Sequence, residues 1–263
     1  MRPKPAKVTK IVKENYRINT IFLDEKTKSE PGKFAMLWLP GFNEKPFAII
    51  NDEPLTFTIA AVGPFSKKIA SLKVGDNIWY RGPYGASFNL EKKKNILLVG
   101  GGYGVAAMYD LAKKAKGKDI KSTVIIGAKN KDDVIFEQLL RNQKIETHIA
   151  TEDGSSGFKG LATQLAKTII EKEKINQIYS AGPEKMMKVI GDLADEFDVP
   201  YQLSVERFMK CGGLYLCGHC EINGYLCCID GPVFDWRLIK TLPDFGVYHR
   251  GQDATKVLVE KFL

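Results

Sequence analysis

The first 210 residues contain no cysteine, and histidine occurs only three times in the 263-residue chain. A disulfide framework spread through the fold is therefore excluded, and nothing points to an oxidising compartment. No apolar run reaches the roughly 18 residues that a membrane helix needs. The start, Met1-Arg2-Pro3-Lys4-Pro5, lacks the apolar stretch of a signal peptide, so a cytoplasmic protein is expected rather than an exported one. No heptad series, low-complexity block or fixed-period repeat is present. His148, His219 and His249 are scattered without evident companions, so no acid–base or nucleophilic constellation emerges and no catalytic residue is assigned. Hydrolase chemistry finds no support.

What is present is an ordinary globular composition, 44% hydrophobic and 27% charged with mean hydropathy −0.18, enough to bury a real core. The net charge of +8 is unevenly placed. Residues 1–95 carry 17 Lys and Arg against 9 Asp and Glu, whereas the remainder is balanced. That excess suits a solvated lysine-rich face, or a surface for an anionic cofactor or an acidic partner. No cluster of Lys and Arg with interleaved aromatics indicates nucleic-acid binding.

The chain reads in three parts, 1–92, 93–202 and 203–263. In the first, short strand-like runs such as Lys7–Lys13, Thr20–Asp24, Phe34–Leu39, Phe57–Val62 and Asp76–Gly82 alternate with Pro-Gly and Gly-Pro turns. One short helix is expected at Phe65–Leu72, and the pattern predicts an antiparallel β-barrel or sandwich. After Glu91-Lys92-Lys93-Lys94 comes the apolar run Ile96-Leu97-Leu98-Val99, a glycine cluster, and a helix over Val105–Lys116. Further strands at Thr123–Gly127, Glu146–Thr151 and Gln177–Ser180 alternate with helices at Val134–Arg141, Leu161–Glu173 and Lys185–Phe197. Such alternation predicts a Rossmann-like parallel sheet covered on both faces. From about Tyr201 the chain turns Gly- and Cys-rich.

Three motifs carry chemistry. Gly100, Gly101, Gly102 and Gly104 follow a buried strand and open a helix, the context in which backbone amides approach a phosphate. Gly182 and Pro183 stand after another strand, where loops of an α/β sheet form the ligand crevice. No acidic residue ends the second strand; Lys129 stands near that place, so NAD and NADP are not distinguished. The cysteines run Cys211-x5-Cys217-x2-Cys220-x6-Cys227-Cys228. Three close thiolates and a downstream fourth approximate a plant-type iron–sulfur pattern. Structural zinc is the alternative, although it usually uses two paired motifs and only one is present. Adjacent residues of an extended segment point to opposite sides, so Cys227 and Cys228 do not both face one centre.

Taken together these stretches resemble the ferredoxin-reductase-like flavoproteins, and within them the electron-transfer subunits of NAD-dependent (class B) dihydroorotate dehydrogenases. The resemblance runs from about Lys7 to Trp236. It is most specific in Ser204-Val205-Glu206-Arg207-Phe208-Met209-Lys210-Cys211-Gly212 and in Cys228-Ile229-Asp230-Gly231-Pro232-Val233-Phe234. It implies an FAD-binding barrel, an NAD-binding domain and a 2Fe–2S module ligated by Cys211, Cys217, Cys220 and Cys228, with Cys227 free. The extra residue between Cys211 and Cys217 is expected to be taken up at Gly212-Gly213. Flavin contacts fall on Lys45, Pro46, Phe47 and Ala48, where the family has Arg-Pro-x-Ser, and on Thr58, Ile59, Ala60, Phe65 and Ser66. The family's cysteine before Gly-Pro is Ala181 here. The partner implied is an FMN-containing catalytic subunit in a heterotetramer with two copies of each chain. Electrons would pass from dihydroorotate to FMN, then through the cluster and FAD to NAD⁺, in pyrimidine biosynthesis. A flavin-containing gamma subunit of a cytoplasmic hydrogenase or sulfur reductase shares this architecture. A zinc-stabilised nucleotide-binding regulatory protein is the reading from another class.

Overall fold

The computed structural model describes residues 2–251 and 253–259. Six antiparallel strands open the chain: β1 (Lys4–Lys13), β2 (Ile18–Leu23), β3 (Phe34–Leu39), β4 (Asn43–Asp52), β5 (Leu55–Ala60) and β6 (Asn77–Tyr84). They close into a barrel in the order β1-β2-β5-β4-β3-β6. Closure follows from alternation: Val8, Ile21, Leu37, Ile49, Phe57 and Ile78 point inward and fill one core. The short helix α1 (Pro64–Ala70) seals that core with Phe65 and Ile69.

A sheet of seven strands comes next, built from β7 (Asn95–Gly101), β8 (Lys121–Ala128), β9 (Glu146–Thr151), β10 (Phe158–Lys159), β11 (Gln177–Ala181), β12 (Tyr201–Ser204) and β15 (Val233–Asp235). The order is β10-β9-β8-β7-β11-β12-β15, parallel except for β15. Both faces are covered, which explains the uninterrupted apolar run of β7. Ile96 and Leu98 meet α2 (Val105–Lys116) and the region of α3 (Glu137–Asn142). Leu97 and Val99 meet α4 (Ala162–Lys172), α5 (Glu184–Glu196) and α6 (Trp236–Ile239). Two small hairpins complete the chain, β13 (Glu221–Ile222) with β14 (Tyr225–Leu226), and β16 (Tyr248–Arg250) with β17 (Lys256–Leu258).

The structure departs from the sequence expectations in two places. The helix expected at Val134–Arg141 begins only at Glu137. The Asn130 side chain accepts from the amides of Asp132 and Asp133 and forms a tight turn, after which Val134 is extended and Phe136 left-handed. Tyr201–Ser204 is a strand of the parallel sheet rather than the start of an irregular module. The cysteine-bearing segment also returns β15 to the sheet edge, so residues from Leu203 to Phe245 share the core of the α/β layer.

The barrel and the sheet are joined along α2, whose Lys113 reaches Asn51 and whose Lys114 binds Ser29 O at 2.6 Å and Asp52 at 3.3 Å. Between these contacts Asp110 is 3% exposed, and its Oδ1 has no hydrogen-bond partner. Burial, only partly opposed by Lys114 and Lys113, pushes its carboxyl up to about 7. In the unfolded chain the same group titrates near the ordinary value of about 3.9. As pH rises from about 4 to about 7 the unfolded state gives up this proton first, so stability falls through that window. Asp110→Asn should therefore raise stability at pH 8 by about 2–4 kcal/mol, with the gain fading toward pH 4, as measured by urea unfolding at several pH values.

Candidate functional site

The parallel sheet reverses its strand order between β7 and β11, and the carboxyl ends of both strands carry glycine turns. This is where an α/β sheet opens a ligand crevice. The two turns touch through their backbones. A Cβ on Gly104 would collide with Ala181 O and lie 2.8 Å from Gly182 N, and one on Gly182 would lie 2.9 Å from Gly101 N. Gly182 also has φ +147, a conformation that side chains rarely adopt. Gly101 leaves room for Pro183 and Met186. Thus Gly100, Gly101, Gly102, Gly104, Gly182 and Pro183 form one floor, with the N-terminus of the twelve-residue helix α2 at its edge.

The rim of this floor holds residues that motif reading missed. Tyr103 donates from its hydroxyl to Glu206 Oε2 at 3.0 Å, linking the glycine turn to the segment that leads from β12 to the first cysteine. From the barrel, Tyr16 and Arg17 both donate to Asp133 Oδ1, at 3.0 and 3.1 Å. Their only signal in sequence is polarity at strand ends, which many surface residues share.

The flavin residues divide. Phe47 and Phe65 face each other with ring centroids 6.2 Å apart, and Phe42 stacks on Phe65 from outside. Lys45, whose ammonium loses charge preference through burial, lies 3.5 Å from the centroid of Phe208, so it points to the cysteine segment. Pro46 pairs with Met36 in the β3–β4 ladder, and Ala48 is exposed. The Thr58 hydroxyl bonds that of Thr20 at 3.0 Å. Ser66 Oγ accepts from Val62 N and Gly63 N at 3.1 and 3.0 Å, holding the start of α1. Ile59 is buried in the barrel core and Ala60 against the α2 side of the sheet, so both could meet a ligand only through backbone.

The cysteine loops dock on the barrel through one buried charge. Arg81 holds both oxygens of Glu44, at 2.6 and 2.7 Å, and also reaches Tyr84 Oη and Cys211 O at 3.2 and 3.3 Å. A Cβ on Gly212 would collide with Arg81 Nη2, so glycine is required for this approach. Gly212 and Gly213 both have positive φ, +61 and +76, and lie against Arg81 and Tyr84. Beside them, Gly85 and Gly32 make room for Pro232 and Val233.

Four of the five thiols form a chain of neighbours. Cys211 N donates to Cys217 Sγ at 3.4 Å. Burial alone would raise the Cys211 thiol, but amides of Leu216, Cys217 and Leu214 and the Cys217 thiol bring it down to about 7. The Cys228 thiol, pushed up to about 12 by burial, bonds Cys220 and lies within electrostatic reach of Cys211. Cys227 is wholly buried beside Arg207, and burial pushes its thiol up. His219 Nδ1 lies 3.3 Å from Cys217 O, and its buried Nε2 has no hydrogen-bond partner among the described residues. Four soft donors with backbone amides aimed at one sulfur fit an iron–sulfur group. Among the described residues, no three His, Cys, Asp or Glu side chains converge on a single ion position.

No protein-family model matches the chain. It is 39% identical to the probable dihydroorotate dehydrogenase B (NAD(+)) electron transfer subunit of Methanocaldococcus jannaschii, over 97% of this chain and 98% of that one. The chain belongs to that family. The protein of the same description from Thermococcus kodakarensis is 40% identical, over 81% of this chain and 87% of its own. Among solved structures, NADH-dependent reduced ferredoxin-NADP oxidoreductase superposes with TM-score 0.81 at 28% identity, covering 88% of each chain. The barrel and sheet are therefore the flavin- and nicotinamide-binding architecture of ferredoxin-reductase-like oxidoreductases.

Two measurements probe the site. Gly104→Ala should force the two glycine turns apart and weaken NADH binding by about tenfold or more, roughly 1.4 kcal/mol; fluorescence titration reads this, and unchanged affinity would remove these turns from the nucleotide site. If these thiols hold an iron–sulfur cluster, Cys228→Ser should lose most of its visible absorption and reduced-state paramagnetic signal, while Cys227→Ser keeps both. The reverse behaviour would place the downstream ligand one residue earlier.

Proposed function

We propose that the chain is the electron-transfer subunit of a NAD-dependent dihydroorotate dehydrogenase of class B. In this reading residues 1–92 hold FAD, 93–202 bind NAD(H) as a diffusible acceptor, and 203–263 carry a 2Fe–2S cluster on Cys211, Cys217, Cys220 and Cys228. The observation that carries it is the convergence of the three parts. The barrel's Arg81 and Lys45 grip the segment holding Cys211 and Phe208, and that segment is tied by Glu206 to Tyr103 of the glycine turn. Electron carriers must be close to exchange electrons, and these contacts support a reading in which the three sites adjoin one another.

The protein's own groups do the holding. The glycine turns and the α2 N-terminus offer amides to a pyrophosphate. The Phe47 and Phe65 rings offer an apolar wall beside Lys45. The amides of Leu214, Leu216 and Cys217 stabilise negative sulfur at Cys211. A flavin supplies two-electron exchange with a nicotinamide and one-electron exchange with a cluster, which is the chemistry the missing acid–base residues leave to cofactors. The same reading sets the protein in the cytoplasm, where thiolates escape oxidation.

Substrate oxidation then falls to an FMN-containing partner. Exposed apolar side chains cluster on the cysteine loops, with Leu216 81% exposed and Leu214, Tyr215 and Ile229 also open to solvent. Such a patch favours a covering partner. Two copies of each subunit would complete the assembly. Flavin extracted from the reconstituted chain should be FAD, reduced faster by NADH than by NADPH in stopped flow. Dihydroorotate turnover should appear only when the FMN subunit is added, and Leu216→Glu should weaken that assembly while leaving NADH–flavin exchange intact. Turnover of dihydroorotate by the chain alone would contradict the division of labour; its absence with the partner would favour the hydrogenase-type subunit.

A further inference from the structure

Arg207 lies four residues before Cys211, and its side chain is 1% exposed. Its two terminal nitrogens hold both oxygens of Glu184, and Nη1 also donates to Glu206 O at 3.0 Å. Glu184 begins α5 directly after Gly182-Pro183 and accepts a further bond from Gly246 N at 2.7 Å. Of the three guanidinium nitrogens, only Nε has no hydrogen-bond partner among the described residues. Cys227 and Cys220 lie within electrostatic reach of this group. So do Asp244 and Glu221, but these are paired with Lys256 and Arg250. A buried guanidinium with an unpaired Nε–H, within electrostatic reach of the proposed ligand Cys220 as well as of Cys227, offers more than a structural tie requires.

We propose that Arg207 is a positioning residue for the redox centre of the cysteine loops, its buried charge and unused Nε–H raising that centre's reduction potential, while Glu184 limits how much of the charge the centre feels. The proposal rests on the four-thiolate cluster reading. Reduction adds one electron and makes no bond, so the reduced form carries one more negative charge. Positive charge and N–H donors near the sulfurs stabilise the reduced form more than the oxidised one, and a carboxylate behind them does the opposite. Because Glu184 follows the Gly182-Pro183 loop, the residue that sets the balance sits directly on the nucleotide floor.

The test is a redox titration of the anaerobically purified full chain, followed by the reduced-state paramagnetic signal. Glu184→Gln keeps the shape and removes the opposing charge, and should shift the midpoint upward. Arg207→Gln leaves Glu184 unopposed, and should shift it downward. Each shift should change the reduced-to-oxidised ratio at fixed potential by at least about tenfold, roughly 59 mV for a one-electron couple. Arg207→Lys, which keeps the charge and loses Nε–H, should fall between wild type and Arg207→Gln with iron content unchanged. Shifts in the same direction, shifts below that size, or loss of iron from all three variants would overturn the proposal and leave a purely structural ion pair. A wild-type chain without iron or a reduced-state signal would instead fail the cluster reading on which the proposal stands.

Discussion

Two backbone turns must touch for the glycine floor between β7 and β11 to exist at all. At the point where the sheet changes direction, the turn after β7 and the turn after β11 approach so closely that no Cβ fits at Gly104 or Gly182. Side chains cannot substitute for that contact, because it is made of carbonyls and amides. It also aligns the two helices that leave these turns: α2, which packs on the barrel, and α5, whose first residue grips Arg207. The starts of α2 and α5 therefore take their relative places from a few glycines.

The cysteine loops are held by buried charge rather than by their own fold. Their two hairpins are too short to be stable alone. Arg81 with Glu44 on the barrel side, and Arg207 with Glu184 on the sheet side, clasp the chain just before and at Cys211. Each pair is bidentate, the geometry that repays removal of both charges from water. Breaking one partner would leave a buried charge unmatched, so these pairs fix where the thiols stand. The interlock of Gly231-Pro232-Val233 with Gly85 and Gly32 adds an apolar join in the same place.

The flavin side shows how a changed motif is accommodated. Lys45 and Ala48 stand where the family pattern has Arg and Ser. Lysine lacks the planar fork that binds phosphate in two bonds, and its ammonium here rests on the Phe208 ring. The charge thus contributes to joining barrel and cysteine segment. Ser66, which the motif offers as a flavin hydroxyl, is occupied in starting α1.

The order of barrel, parallel sheet and cysteine module was legible in the chain because each has its own local period or composition. Turn residues on either side mark the short run Phe34–Leu39, an apolar run marks Ile96–Val99, and spacing marks Cys217 and Cys220. The glycine turns were legible too, since a strand, glycines and a helix succeed one another along one short stretch. Tertiary structure alone decided the rest. Nothing local announces that Arg81 meets Glu44 and Cys211, that Glu184 meets Arg207, or that Tyr103 meets Glu206, because these partners lie 23 to 130 residues apart. Nor does the chain announce that Tyr201–Ser204 and Val233–Asp235 are strands of one sheet. Segments of four and three residues are too short to show a period, and only the edge on which they pair makes them strands.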